Sequence, residues 1–446
     1  MNMQLAKDLG FLGINVDSGF DLAWMKTEVA DKIAKGDKMG VYKLVNFARH
    51  SEDEAVRDYA YKLMQVYKFE IDDYDGTAEK EDEKPFDGDK AETAEEVIDD
   101  INAAIEAGED IKIEIVKDID LTSGSIKGFT IPEGAKAEFR LDEGVTLTAK
   151  SGAFDVKDGA ELILSGKGTI KETSKTTNAT VYAAGGSKVV IDGITLDCYS
   201  EHGGVGNYAY GVYAQGGSVV EMKSGCIKVG QGSALSSNGT TGRADFIVSG
   251  GELLSDGAYA IYMPSWGVTT ITGGTVQGIN VRMGQVNISG NAKIIPTTIT
   301  DDTCDPIGSN INTSGCCWFG DTIVLESGTY DIGDNRDIEL NIGGNVTVKS
   351  GYRAALSVYS VDTKTDANVT VTMDDSVTLE TTDSAFSAIE VYDHAYIADE
   401  AQKAGKSYNP GFNSTIKITK GDEIIYPVVD SGTVVAPEGP VMEEEF

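Results

Sequence analysis

Eleven phrases after Gly108 alternate apolar with small or polar residues, reach a corner, and resume; TTITGGTVQG at 269–278 is one of them. A period of two is the pattern of a half-buried strand. Aligned at the corner, Gly250 to Gly273, Gly328 to Gly351 and Gly351 to Asp374 are each 23 residues, and Asp142 to Gly166 is 24. Gly193 to Gly225 is wide at 32, Gly290 to Gly328 at 38, and Gly273 to Gly290 is short at 17. A second phrase often follows: GAFDV at 152, YGVYAQ at 210, AYAIYM at 258, AALSVYS at 354 and AFSAIEVY at 385. Each repeat therefore holds two or three short strands, and such a period predicts stacked units rather than a sandwich. No proline occurs between Pro132 and Pro264, as expected where strands donate to neighbours on both sides. Gly273-Gly274 reads as a corner between strands. No Gly-Lys-Ser/Thr accompanies it, so it is not a phosphate loop.

The chain before the repeats differs. Only five of 52 glycines precede residue 71. Leu22, Met25, Val29 and Ile33 follow a Ser18 cap at helical spacing, and Ser51 with Glu54 caps a further helix bearing Val56, Ala60, Leu63 and Tyr67. Residues 1–68 are expected to form a helical docking domain. Residues 69–92 carry eleven acidic and three basic residues and read as an extended linker. Thr93 and Glu96 then cap a short helix with Val97, Ile98, Ile101, Ala104 and Ile105 on one face, closed by Gly108. The repeats run through 93–425, and 426–446 is a tail.

Period, alternation and leading helix together resemble the right-handed parallel β-helix of pectate lyases and phage tailspikes, over residues 93–425. The expected fold class is therefore mainly β, with a small N-terminal α-helical domain. The resemblance implies that the helix closes the open end of the first coil. It carries over no catalytic residue. Polygalacturonase-like enzymes hold Asn-Thr-Asp, Asp-Asp, Gly-His-Gly and Arg-x-Lys motifs. Here Glu201-His202-Gly203-Gly204 departs from Gly-His-Gly, Asp301-Asp302 lacks its partners in order, and no Arg-x-Lys follows.

The wide gaps place two insertions. Tyr199–Tyr210 offers Glu201 and His202 as acid and base, and Tyr199, Tyr208 and Tyr210 for stacking on sugars; its bland alternative is a solvated Gly-rich loop. Residues 301–321 offer Asp301, Asp302 and Asp305 as oxygen ligands for Ca2+, with Trp318 and Phe319 as a contact surface; the bland alternative is a loop folded back on the solenoid. No other cofactor or metal is expected. The five cysteines show no zinc spacing.

A formal charge of −35 argues against nucleic acid and anionic membrane as partners. The start of the chain lacks the apolar stretch of a signal peptide. A phage structural protein reconciles these features: made in the host cytoplasm, docked on a capsid or tail protein through residues 1–68, and exposed on the virion surface as a head fibre, capsid decoration or tailspike-like protein. Trp24, Val29 and Tyr42 are the apolar candidates for docking. The solenoid would serve adhesion to a host-surface glycan or protein, and a homotrimer follows by analogy with fibres, although no heptad run supports one. The reading leans against enzyme activity. The alternatives are a polysaccharide lyase or glycoside hydrolase acting as a depolymerase, and an extracellular bacterial surface adhesin.

Overall fold

The computed structural model describes residues 25–27, 29–30, 32, 56, 86–174, 178–198, 208–238, 242–299, 320–330, 336–361, 364–382, 386–403, 412–430 and 433–435. The chain divides into two compact units, Met1–Phe86 and Asp87–Phe446. In the first, Met25, Lys26, Thr27, Val29, Ala30, Lys32 and Val56 are helical, and Met25, Val29 and Val56 are buried.

The second unit is mainly parallel β. Its strands enter three sheets in rotation: Ile111–Ile115 joins the first sheet, Ile119–Asp120 the second, Phe129–Ile131 the third, and Lys136–Leu141 returns to the first. Continued to Ile389–Tyr392, the rotation gives ten strands each in the second and third sheets. This topology is consistent with a β-helix. The strands Ala244–Val248, Val268–Ile271 and Gly284–Ile288 pair in parallel, as stacked units require and an antiparallel sandwich does not.

Alternation supplies the core. Because side chains of a strand point to opposite faces in turn, every second residue enters the coil, and register stacks it on its equivalent. In the first sheet Leu164, Ile191, Met222, Val248, Ile271, Ile288 and Ile342 lie in one row. In the second, Leu147, Ile170, Leu196, Ile227, Leu253, Val276, Ile294, Val348 and Leu379 do the same. Near the start, Phe129, Phe139 and Phe154 fill the interior, with Phe139 edge-on to Phe154 at 4.9 Å.

Ends of the first sheet differ from its middle. Asp89–Ala91, inside the acidic stretch 69–92, is a strand parallel to Ile113–Ile115. The helix Ala94–Ala107 follows. Thr93 and Glu96 form a reciprocal capping box, and Gly108 closes the helix in the left-handed region. Val97 and Ile101 join the core that holds Ile111 and Ile113, while Ile105, expected on the same face, is 45% exposed. At the far end Glu423–Tyr426 reverses direction and pairs antiparallel with Ile416–Lys420.

Gly273-Gly274 is a corner between the first and second sheets, following Val268–Ile271 and preceding Thr275–Gln277. Gly274 has φ +76°, and a Cβ on Gly273 would stand 2.3 Å from the Ser249 carbonyl oxygen of the previous coil. Two of the 23-residue steps need correction. Gly328 follows a third-sheet strand (Ile323–Ser327), Gly351 a second-sheet strand (Thr347–Ser350) and Asp374 a first-sheet strand (Val369–Met373). Those steps join unlike corners. The coil equivalent of Gly290 is Gly344, since register pairs Ile288 with Ile342, and the two glycines take φ +65° and +70°. True coil lengths vary widely: Thr269 pairs with Val286, 17 residues on, and Val286 with Leu340, 54 residues on. The short step at Gly273 is thus a short coil and not a break in the repeat. All five second phrases lie on the third sheet.

Candidate functional site

The third sheet changes character along its length. Early strands bury alternate residues, as Phe129–Ile131 and Phe154–Val156 do. Gly232–Ser237, Ile279–Val281, Ile323–Ser327 and Leu356–Ser360 are buried at every position. Later segments cover this part from outside: Ile299, Val361, Tyr396 and Ile397 pack with Tyr259, Val324, Tyr359 and Tyr392 in a second apolar cluster. The helix His394–Lys403 contributes Tyr396 and Ile397.

A face meant for water and then covered leaves polar groups to be paired. Two clusters do so. Arg282 meets Glu326 at 3.2 Å with both side chains nearly inaccessible. Asn280 Nδ2 donates to Glu326 Oε1 at 2.5 Å, and the Arg282 guanidinium lies over the rings of Tyr262 and Tyr330. In the second cluster Asp321 Oδ1 accepts from the Ala354 N–H at 2.8 Å, and Oδ2 from the Tyr359 hydroxyl at 2.9 Å. Arg353 Nε stands 3.7 Å from Asp321, and its Nη2 donates to the Tyr392 hydroxyl at 2.7 Å. The Tyr359 and Tyr392 rings stack at 4.6 Å. Burial pushes the Asp321 and Glu390 carboxyls above the ordinary carboxylate value, against the pull of Arg353. It also pushes the Tyr359 hydroxyl well up.

A second feature starts in the earlier half of the sheet. Register places Thr130, Asp155, Tyr182, Tyr213, Ser236, Tyr262 and Asn280 in one row on its outer side. Tyr182, Tyr213 and Tyr262 are half-buried. Tyr182 and Tyr213 stack at 5.9 Å with planes 10° apart, and Tyr210 tilts against Tyr213 at 5.2 Å. Rings stacked this way engage one another by their faces. Gln215 Nε2 donates to the Tyr182 hydroxyl, and Tyr213 hydrogen-bonds Asn238. Burial raises the hydroxyl pKa of both tyrosines.

Of the residues singled out from the sequence, Tyr208 and Tyr210 are described and both are half-buried; Tyr210 is the second residue of the strand Ala209–Ala214 beside the row. Val29 is 1% exposed. Trp24, Tyr42, Tyr199, Glu201, His202, Trp318 and Phe319 lie outside the described residues, as do Asp301, Asp302 and Asp305. Among the described residues no group of three His, Cys, Asp or Glu is placed to hold a metal ion, and no helix is long and apolar enough to cross a membrane. Cys198 is buried, its thiol held up by desolvation, beside the Thr180 hydroxyl at 2.7 Å. Tyr182, Tyr213, Gln215 and Asn238 were missed. A signal for them exists: Val181-Tyr182-Ala183-Ala184-Gly185-Gly186 repeats as Val212-Tyr213-Ala214-Gln215-Gly216-Gly217. No protein-family model, characterised protein or solved structure matches this chain.

Proposed function

We propose that this chain is a binding scaffold, a right-handed β-helix that engages a host-surface glycan or protein along its third sheet. The row Tyr182–Tyr213–Tyr262 carries this reading. Tyr182 and Tyr213 stack as half-buried phenols on adjacent strands, whereas Tyr262 lies beyond the fully buried Ser236 and beneath Arg282. Closing the coil does not require these rings, since the same register positions hold Thr130 and Ser236 elsewhere. The right hand follows the rule for crossovers between parallel strands. By contrast the buried charges serve packing: Asp321 and Glu326 take their donors from the protein itself.

A parallel β coil preceded by a compact N-terminal unit suits a virion fibre, capsid decoration or tailspike-like protein. In this reading the unit Met1–Phe86 holds the chain on a capsid or tail protein, with Trp24 and Tyr42 as the apolar candidates for the contact; Val29, also singled out from the sequence, is buried and serves packing instead. The coil faces the host. The test is retention of the intact protein on bacterial cells and purified surface glycans, wild type against Tyr213→Ala, with folding checked by thermal melting. Wild type should be retained and the variant lost. Equal retention of both would remove the tyrosine row from the function. A chain beginning at Asp87, which keeps the strand Asp89–Ala91, should adhere to cells but no longer join its particle.

A further inference from the structure

The charge around the tyrosine row narrows the ligand. On this reading of the row as a binding surface, we infer that it takes an uncharged polyhydroxylated polymer, a neutral glycan lying along the coil axis, and not a uronate, phosphate-bearing or amino-sugar polymer. The row advances one residue per coil, and coils rise by about 4.8 Å, close to the length of one sugar unit in an extended chain. A repeating surface of this kind matches a repeating ligand whose axis is parallel to it. What its two stacked steps offer is hydroxyl and amide: the phenols of Tyr182 and Tyr213, with Gln215 and Asn238 bonded to them. Such groups both donate and accept, as sugar hydroxyls do.

Ionic groups of the row come in pairs. Asp155 holds Lys157 at 2.5 Å, and Arg282 holds Glu326 at 3.2 Å. An anionic polymer would have to break one of these pairs to gain a cation, and would approach a chain of formal charge −35. That field repels polyanions at long range. A cationic polymer gains from the field but must compete with Lys157 for Asp155. A neutral chain pays neither cost, and its affinity comes from contacts that salt hardly screens.

The experiment is affinity electrophoresis of the full-length protein through gels holding a neutral β-glucan or mannan, polygalacturonate or alginate, or chitosan, at low and high salt. The variants are Tyr213→Phe, which keeps the ring stack and removes one hydroxyl, and Gln215→Ala, each checked by thermal melting. A neutral polymer should retard the wild type at both salt levels, and each variant should weaken this by about tenfold, equivalent to about 1.4 kcal/mol. Retardation by uronate or chitosan that the variants lose would overturn the neutral class while leaving the row as a binding surface. Retardation by no polymer, or retardation unchanged in both variants, would overturn the inference and the binding reading of the row together.

Discussion

Asp321 shows what a single residue must satisfy when a sheet is covered on both sides. Its carboxylate is fully buried and is met by the Ala354 N–H, the Tyr359 hydroxyl and Arg353. Removing it leaves the Arg353 charge without its partner, so Asp321→Ala should cost about 3–5 kcal/mol in unfolding free energy. The pH dependence has a definite sign. The folded-state pKa of Asp321 is raised, so the folded chain binds its proton more tightly than the unfolded chain. Stability from this group is present below the ordinary carboxylate value and is lost as pH rises through the raised folded value. The Tm difference between wild type and Asp321→Asn should therefore shift in favour of wild type as pH falls from neutrality to about 4, the ordinary carboxylate value. A difference that moves the other way would mean that the pair with Arg353 outweighs desolvation. Glycines allow a comparison of two costs. Gly186 has φ +73° in open space, whereas Gly274 has φ +76° and a Cβ there would stand 2.6 Å from the Gly251 carbonyl oxygen. Gly186→Ala should cost about 1–2 kcal/mol and Gly274→Ala about 3 kcal/mol or more, read from denaturant melts.

Among elements, the strands of the first two sheets were plain in the sequence, because one covered face and one wet face write alternation directly. The cap helix was plain for a similar reason: Thr93, Glu96 and Gly108 are chemically specific end signals. The third sheet was harder. Once later segments cover it, strands such as Leu356–Ser360 are buried at every residue, and the polar–apolar alternation that reports on water is overridden by packing. The tyrosine row escaped for another reason. It exists only in register between coils, and coil lengths differ, so equivalent residues cannot be aligned by counting. The cover should be separable from the coil. Ile397, 2% exposed, belongs to the outer cluster and not to the interior core. Ile397→Asp should destabilise by about 2–4 kcal/mol and expose dye-binding apolar surface, while far-ultraviolet circular dichroism still reports the parallel sheets.

At the scale of the solenoid, the open question for any stack is what ends it. The helix Ala94–Ala107 covers the core at one end with Val97 and Ile101, and at the other the antiparallel strand Glu423–Tyr426 takes up edge groups of Ile416–Lys420 that would otherwise pair with another chain. A chain ended at Lys420 should expose the edge of Ile416–Lys420 and form concentration-dependent oligomers by light scattering; a monomer at all concentrations would show that the last strand is dispensable as a stop.

The unequal coils have a bearing on how the chain finds its fold. A stack of identical repeats offers each strand several equally good neighbours, and a strand that joins one place too early leaves an error that later coils copy. Here the step from Thr269 to Val286 is 17 residues and the next, to Leu340, is 54. A strand that skipped its place would have to stretch a short connection or crowd a long one over the wrong side. Irregular length thus works as an address, giving each strand one position at which its connections fit.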